Sequence, residues 1–187
     1  NVYSPGYMFS YTGGMAKHTN VTLKNWDLSN QKSTSQMFNN FAFSCRDTKL
    51  VIEDWDTSGV ENMSSMFSRA MYYNLNLDLD LTGLDVSNVT NMNAMFAVMG
   101  QTSNSSVKID MTGWDTSKVE NMSYMFGGSY QVKSTDDFRM TLTKIIGLES
   151  IDTSKVINMS GMFYVCTRLT ELDLSNFDTS SVTNMSY

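Results

Sequence analysis

The sequence predicts an α/β repeat fold: a leucine-rich-repeat-like solenoid with one parallel β-sheet and short helices on the opposite side, in about six to seven rungs. Three observations predict it. One phrase recurs, as "WDTSGVENMSSMF" (Trp55–Phe67), "LDVSNVTNMNAMF" (Leu84–Phe96), "WDTSKVENMSYMF" (Trp114–Phe126) and "IDTSKVINMSGMF" (Ile151–Phe163). A shorter copy runs from Phe177 to Tyr187, and a worn one, "WDLSNQKSTSQMF", starts at Trp26. The phrase is nearly periodic: Asp27, Asp56, Asp85, Asp115, Asp152 and Asp178 lie 29, 29, 30, 37 and 26 residues apart. Each copy also follows a stretch of alternating apolar and polar residues. Such periods mark units that bury their apolar faces only against their neighbours.

Each unit reads as strand, turn, helix and return loop. "NLNLDLDLTGLD" (Asn74–Asp85), "VKIDMTGWD" (Val107–Asp115) and "LTELDLSNFD" (Leu169–Asp178) alternate with period two, the pattern of a half-buried strand. Leu77, Leu79 and Leu81 are expected inside, with Val107, Ile109 and Met111; Asp78 and Asp80 are expected outside. After the marker Asp the period changes. Val60, Met63, Met66 and Phe67 fall on one face of a helix, as do Val119, Met122, Met125 and Phe126. The Asp-Thr-Ser before them reads as an N-cap, and Ser58 with Glu61 and Ser117 with Glu120 read as capping boxes. "GYMF" (Gly6–Phe9) ends 29 residues before "SQMF" (Ser35–Phe38) and implies a partial earlier unit. The 37-residue interval implies an inserted loop over 127–138. Residues 1–187 thus form one repeat domain, read as a fragment of a longer protein.

Parallel pairing turns equivalent positions into columns. One outward column reads Asn20, Lys49, Asp78, Lys108, Ile145 and Glu171, with charges alternating from Lys49 to Lys108. The next carries Thr22, Val51, Asp80, Asp110 and Asp173. This sheet face is the expected binding face, because stacking makes it long and continuous.

The totals exclude several classes. A net charge of −6 would repel nucleic acid and anionic membranes. No apolar run is long enough for membrane insertion. Cys45 and Cys166 show no metal or redox spacing, and they fall four repeats apart, about 19 Å by strand spacing. A disulfide spans at most roughly 7 Å between Cα atoms, so no Cys45–Cys166 bond is expected. His18, the single histidine, has no evident acid or nucleophile beside it, and neither catalysis nor a cofactor is expected.

Leu169-x-x-Leu172-x-Leu174-x-x-Phe177 followed by "DTSSVTNMS" resembles the BspA-like leucine-rich repeats, the 26-residue repeats of bacterial surface proteins. The shared Asp-x-Ser-x-Val-x-Asn-Met carries the resemblance from about Asn20 onward. It implies an extracellular or cell-surface, non-enzymatic protein that mediates adhesion or recognition of a protein or glycan on another surface. The alternative is a structural subunit of an extracellular filament or envelope assembly, copies meeting end to end.

Three polar columns admit chemistry beside a structural reading. Asn62, Asn91, Asn121, Asn158 and Asn184 read as a ladder bonding backbone groups. Four of them (Asn62, Asn121, Asn158 and Asn184) are also glycosylation sequons. The marker Asp column reads as amide acceptors at the start of each helix rather than as cation ligands. Asp80 and Asp110 are expected side by side, where a Ca²⁺ is possible but compensation by Lys108 and water is favoured. The methionine columns read as core packing rather than a soft-metal site.

Overall fold

The computed structural model describes residues 5–12, 18–43, 47–70, 76–99, 106–128 and 142–187. Five strands form one parallel sheet in chain order: β1 (His18–Lys24), β2 (Asp47–Glu53), β3 (Asn76–Asp80), β4 (Ser106–Asp110) and β5 (Leu142–Ile146). The alternation explains them. Leu50, Ile52, Leu79, Leu81, Val107, Ile109 and Met111 are buried, while Asn20, Thr22, Lys49 and Asp80 are exposed. The side chains of Leu77 and Asp78 lie outside the described residues, as do Cys45 and positions 129–138 of the expected insertion.

The expected helices are absent among the described residues, where the one helical element is a 3₁₀ turn, Leu148–Ser150. Val60, Met63, Met66 and Phe67 are nonetheless fully buried, as the spacing implies. The backbone reaches that burial by another route. The amides of Met63, Ser65, Phe67 and Arg69 donate to Asn91, Asn93, Met95 and Ala97 of the next repeat at 2.8–3.0 Å. Between them, Met66, Ser68 and Ala70 donate three residues back, to Met63, Ser65 and Phe67. Every second amide is thus given to a neighbour, and an i to i−4 ladder has no donors left. Alternate turns in this overlapping series, such as 63–66 and 67–70, carry a residue with positive φ at their third position. Two columns supply it. Tyr7, Gln36, Ser65, Ala94, Tyr124 and Gly161 have φ of 53–61°, and Tyr11, Asn40, Arg69, Val98 and Val165 have φ of 55–62°. The expected capping boxes do not form. Ser58 Oγ donates to Asp56, and Glu61 pairs with Lys32 of the preceding repeat.

The repeats stay in register well outside the sheet. Parallel bridges join Asp27 to Asp56, and run from Ser33 through Asn62, Asn91, Asn121 and Asn158 to Asn184. Inside, one aromatic column is continuous. Phe9, Phe38, Phe67, Phe96, Phe126 and Phe163 stack ring on ring, with centroids 5.0–5.7 Å apart and planes within 8°. Such pairs contribute about 0.5–1.5 kcal/mol each beyond their burial. Trp26 stacks on Trp55, and the indoles of Trp55 and Trp114 donate to the carbonyls of Leu23 and Leu81 in earlier repeats. Repeats also approach closely at Gly59, where a Cβ would lie 1.7 Å from the Ser29 carbonyl oxygen.

Two expectations about the last repeats need correction. A bulge between Val107 and Lys108 shifts the β4–β5 register, so Lys108 faces Lys144, and Ile145 faces the inward Ile109. Counting back from Ile151 misplaced Ile145 by one residue, because the 3₁₀ turn lengthens that connection. The alternating stretch at Leu169–Asp178 adds no strand to the sheet, and Leu172 and Leu174 are 44% and 36% exposed. Its exposed apolar positions lack the cover from both sides that makes the equivalent leucines core residues.

Two substitutions test this packing by thermal or denaturant unfolding. Phe67→Ala interrupts the ring column and is expected to destabilise by about 3–5 kcal/mol. Ser65→Gly removes a side chain from a left-handed position that Gly161 occupies naturally three repeats on. It is expected to stabilise by about 0.5–1 kcal/mol, the conformational relief exceeding the added freedom of the unfolded chain. A destabilised Ser65→Gly variant would contradict the turn geometry.

Candidate functional site

The sheet face assembles most of the expected columns. Asn20 pairs with Lys49, Thr22 with Val51, Val51 with Asp80, Asp78 with Lys108 and Asp80 with Asp110. Lys24 adds an ion pair to Glu53 across β1 and β2. Glu171 and Asp173 do not extend these columns. They line a groove of about 330 Å³ beside Lys144, Ile146 and Leu148, with their backbone outside the sheet.

One motif accounts for the polar columns. At the recurring marker positions, Asp or Asn stands two residues before Ser, Thr or Asn, and its Oδ1 accepts the later amide and closes a turn. Asp27, Asp56, Asp85, Asp115, Asp152 and Asp178 accept from Ser29, Ser58, Ser87, Ser117, Ser154 and Ser180 at 2.8–3.0 Å. Asn62, Asn91, Asn121, Asn158 and Asn184 accept from Ser64, Asn93, Ser123, Ser160 and Ser186 at 2.9–3.2 Å. The Asn side chains therefore bond within their own repeat, while their backbone makes the contacts to the neighbours. From Asn62 to Asn158 they are half-buried, and Asn184 is exposed, so the sequon amides lie near the surface.

Asp80 and Asp110 are adjacent, and each is committed to the same turn. Thr82 and Thr112 donate amide and hydroxyl to them at 3.1 and 2.7 Å. No group of three or more His, Cys, Asp or Glu suited to a metal ion occurs among the described residues.

The middle residue of the Asp-x-Ser turn has a role that local reading missed. Thr57, Thr116 and Thr153 are buried, and their hydroxyls donate to the carbonyls of Asp85, Asp152 and Asp178 in the next repeat at 2.8–3.0 Å. The signal was present as a Thr between Asp and Ser in most copies. Its inward aim is visible only once the repeats are stacked.

Cys166 carries a free, half-buried thiol that donates to the Phe126 carbonyl at 3.2 Å, and burial pushes its pKa up to about 12. Cys45 lies outside the described residues. On the turn side a second groove, of about 340 Å³, is lined by Asn39, Arg69, Asn93, Ala94, Val98 and Tyr124 among others. Nothing in the sequence pattern marked it, because its residues come from four different repeats.

The turns set a pH dependence. The Ser or Thr hydroxyl and amide hold Asp27, Asp80 and Asp115 below the usual carboxylate range, and Lys108 adds to the effect at Asp80. The amide and hydroxyl of Ser154, Ser175 and Ser180 do the same for Asp152, Asp173 and Asp178. Lowered folded-state values mean that the unfolded chain binds more protons in acid. Stability is thus full above the unfolded value of about 3.9 and falls as pH drops through the folded values. Melting temperatures measured from pH 7 to pH 3 are expected to stay level to about pH 5 and then decline. Asp115→Asn, which keeps the acceptor but cannot titrate, is expected to decline less steeply. A melting temperature that rises between pH 5 and pH 3 would refute the assignment.

No helix among the described residues is long and apolar enough to cross a membrane. No curated protein and no solved structure shows significant similarity to the chain. One family model matches it over residues 1–48, 40–144 and 132–187, which together span its length. The chain, with its tandem in-register repeats, belongs to the family described as Mycoplasma protein of unknown function, DUF285.

Proposed function

We propose that the chain is a non-enzymatic recognition module, a solenoid of about six to seven rungs of the BspA-like leucine-rich type. In this reading it stands outside the cell and binds a protein or glycan on another surface. The observation that carries the proposal is the register. Equivalent positions pair from Ser33 to Asn184, so polar side chains recur in long columns. The most repeated carboxylates are engaged in turns, a structural use that favours recognition over chemistry.

A second reading, a structural subunit of an extracellular filament or envelope assembly, draws on the apolar side chains at the two edges of the stack. Tyr7, Met8 and Tyr11 are 57–69% exposed on one edge, and Met185 and Tyr187 are 62% and 70% exposed on the other. Contact between unlike edges would propagate as an open filament.

Two measurements on one sample separate the readings. The chain is screened against immobilised extracellular proteins and a glycan array, and its mass in solution is followed by sedimentation velocity. The expected result is a monomer that retains a specific partner. Concentration-dependent polymers without a partner would support the structural subunit, and a monomer that retains nothing would sink both.

A further inference from the structure

We propose that the groove on the turn side binds an acidic saccharide, with Arg69 gripping the carboxylate of a sugar and Tyr124 forming the wall on which the ring packs. The proposal rests on the recognition reading and deepens it. It names the ligand class, and it places the contact on the turns rather than on the sheet.

The groove has a volume of about 340 Å³, within the range of about 300–1,000 Å³ usual for small-ligand sites. Its lining divides by chemistry. Ala94 and Val98 are apolar, Asn39 and Asn93 carry amides, Arg69 carries the positive charge, and Tyr124 is aromatic. A sugar ring offers the complement, a face of C–H groups and a rim of hydroxyls.

Arg69 decides the charge of the ligand. Its side chain is exposed, and its guanidinium forms no ion pair or hydrogen bond with another described residue. Lys24 and Lys32, by contrast, are paired with Glu53 and Glu61. The backbone of Arg69 is fixed at φ 55°, with its amide donating to the Ala97 carbonyl at 2.8 Å. A planar guanidinium on a fixed base suits a carboxylate, which it can bind through two parallel hydrogen bonds. Arg69 is the one cationic residue among the described residues of the lining, enough for a single carboxylate and short of the run of positive charge that a polyphosphate needs.

Tyr124 and Asn93 are held in place by the stack. The Tyr124 ring lies against Gly161, where a Cβ would come within 2.5 Å of its Cε1, and its neighbour Tyr164 meets it edge-on at 6.4 Å. Asn93 Nδ2 donates to the carbonyl and hydroxyl oxygens of Ser123 at 2.9 and 2.7 Å, which leaves Oδ1 as an acceptor for a sugar hydroxyl.

The test is titration calorimetry of the chain with a hyaluronan tetrasaccharide, whose rings alternately carry carboxylates, and with neutral chitotetraose. The expected result is binding of the acidic sugar and at least ~10-fold weaker binding of the neutral one. Arg69→Gln should weaken the acidic sugar about 10- to 100-fold, the loss of a charge-assisted pair. Its melting temperature should be unchanged, since Arg69 is exposed. Tyr124→Phe should retain binding, Tyr124→Leu should lose it, and Lys49→Gln on the sheet face should have no effect. Equal affinity for wild type and Arg69→Gln would overturn the proposal. So would equal binding of inorganic sulfate, which would reduce the groove to a general anion contact. If hyaluronan fails while the partner screen finds a protein, this inference falls and the recognition reading stands. If both fail, both fall.

Discussion

The described fold depends on hydrogen bonds between equivalent positions of successive repeats. They form the parallel sheet on one side and continue through bridges and alternate turn amides on the other. A buried amide without a partner costs about 1–3 kcal/mol, so a repeat cannot slip by one residue without losing a whole set of bonds. Side-chain identity follows from that constraint. Once the backbone is in register, like residues meet like residues, and a core of stacked phenylalanines and methionines is the direct result.

The same constraint explains why no helix forms. A helix keeps its amides to itself, whereas here every second one is passed to the neighbour. The turns that replace it are held by Asp and Asn side chains accepting the amide two residues on, and by left-handed residues at two fixed places per repeat. Ser, Asp and Asn compete with helical bonding by this mechanism. The abundance of these residues after the marker Asp argued against a helix as strongly as the apolar spacing argued for one. Val98 and Val165 hold positive φ despite branching at Cβ. Such residues rarely adopt this conformation unassisted, and the amide bonds on either side impose it.

Adjacent columns also bear on recognition. A uniform stack presents uniform faces, and binding specificity has to come from positions where repeats differ. The turn-side groove is one such place. Arg69, Ala94, Tyr124 and Gly128 replace one another along columns whose backbone is otherwise uniform. The β4–β5 bulge is another, bringing Lys108 against Lys144 where the earlier repeats alternate charge.

The sequence by itself determined the repeat, its period, the strands β1 to β5 and most of the buried set, because two-residue alternation and strict recurrence are local signals. It also placed Asp80 beside Asp110 and Lys108 beside Asp78. Tertiary structure decided the rest. Apolar spacing of i, i+3, i+6 and i+7 describes a helical face and a chain of tight turns equally well, and only the partners of the amides distinguish them. The bulge and the longer connection before Ile151 moved Lys144, not Ile145, into the charged column. The failure of Leu169–Asp178 to join the sheet, the inward hydroxyl of Thr57 and its equivalents, and the groove at Arg69 all arise between residues about 30 apart. No local pattern carries that information, since each depends on which neighbour the stack brings alongside.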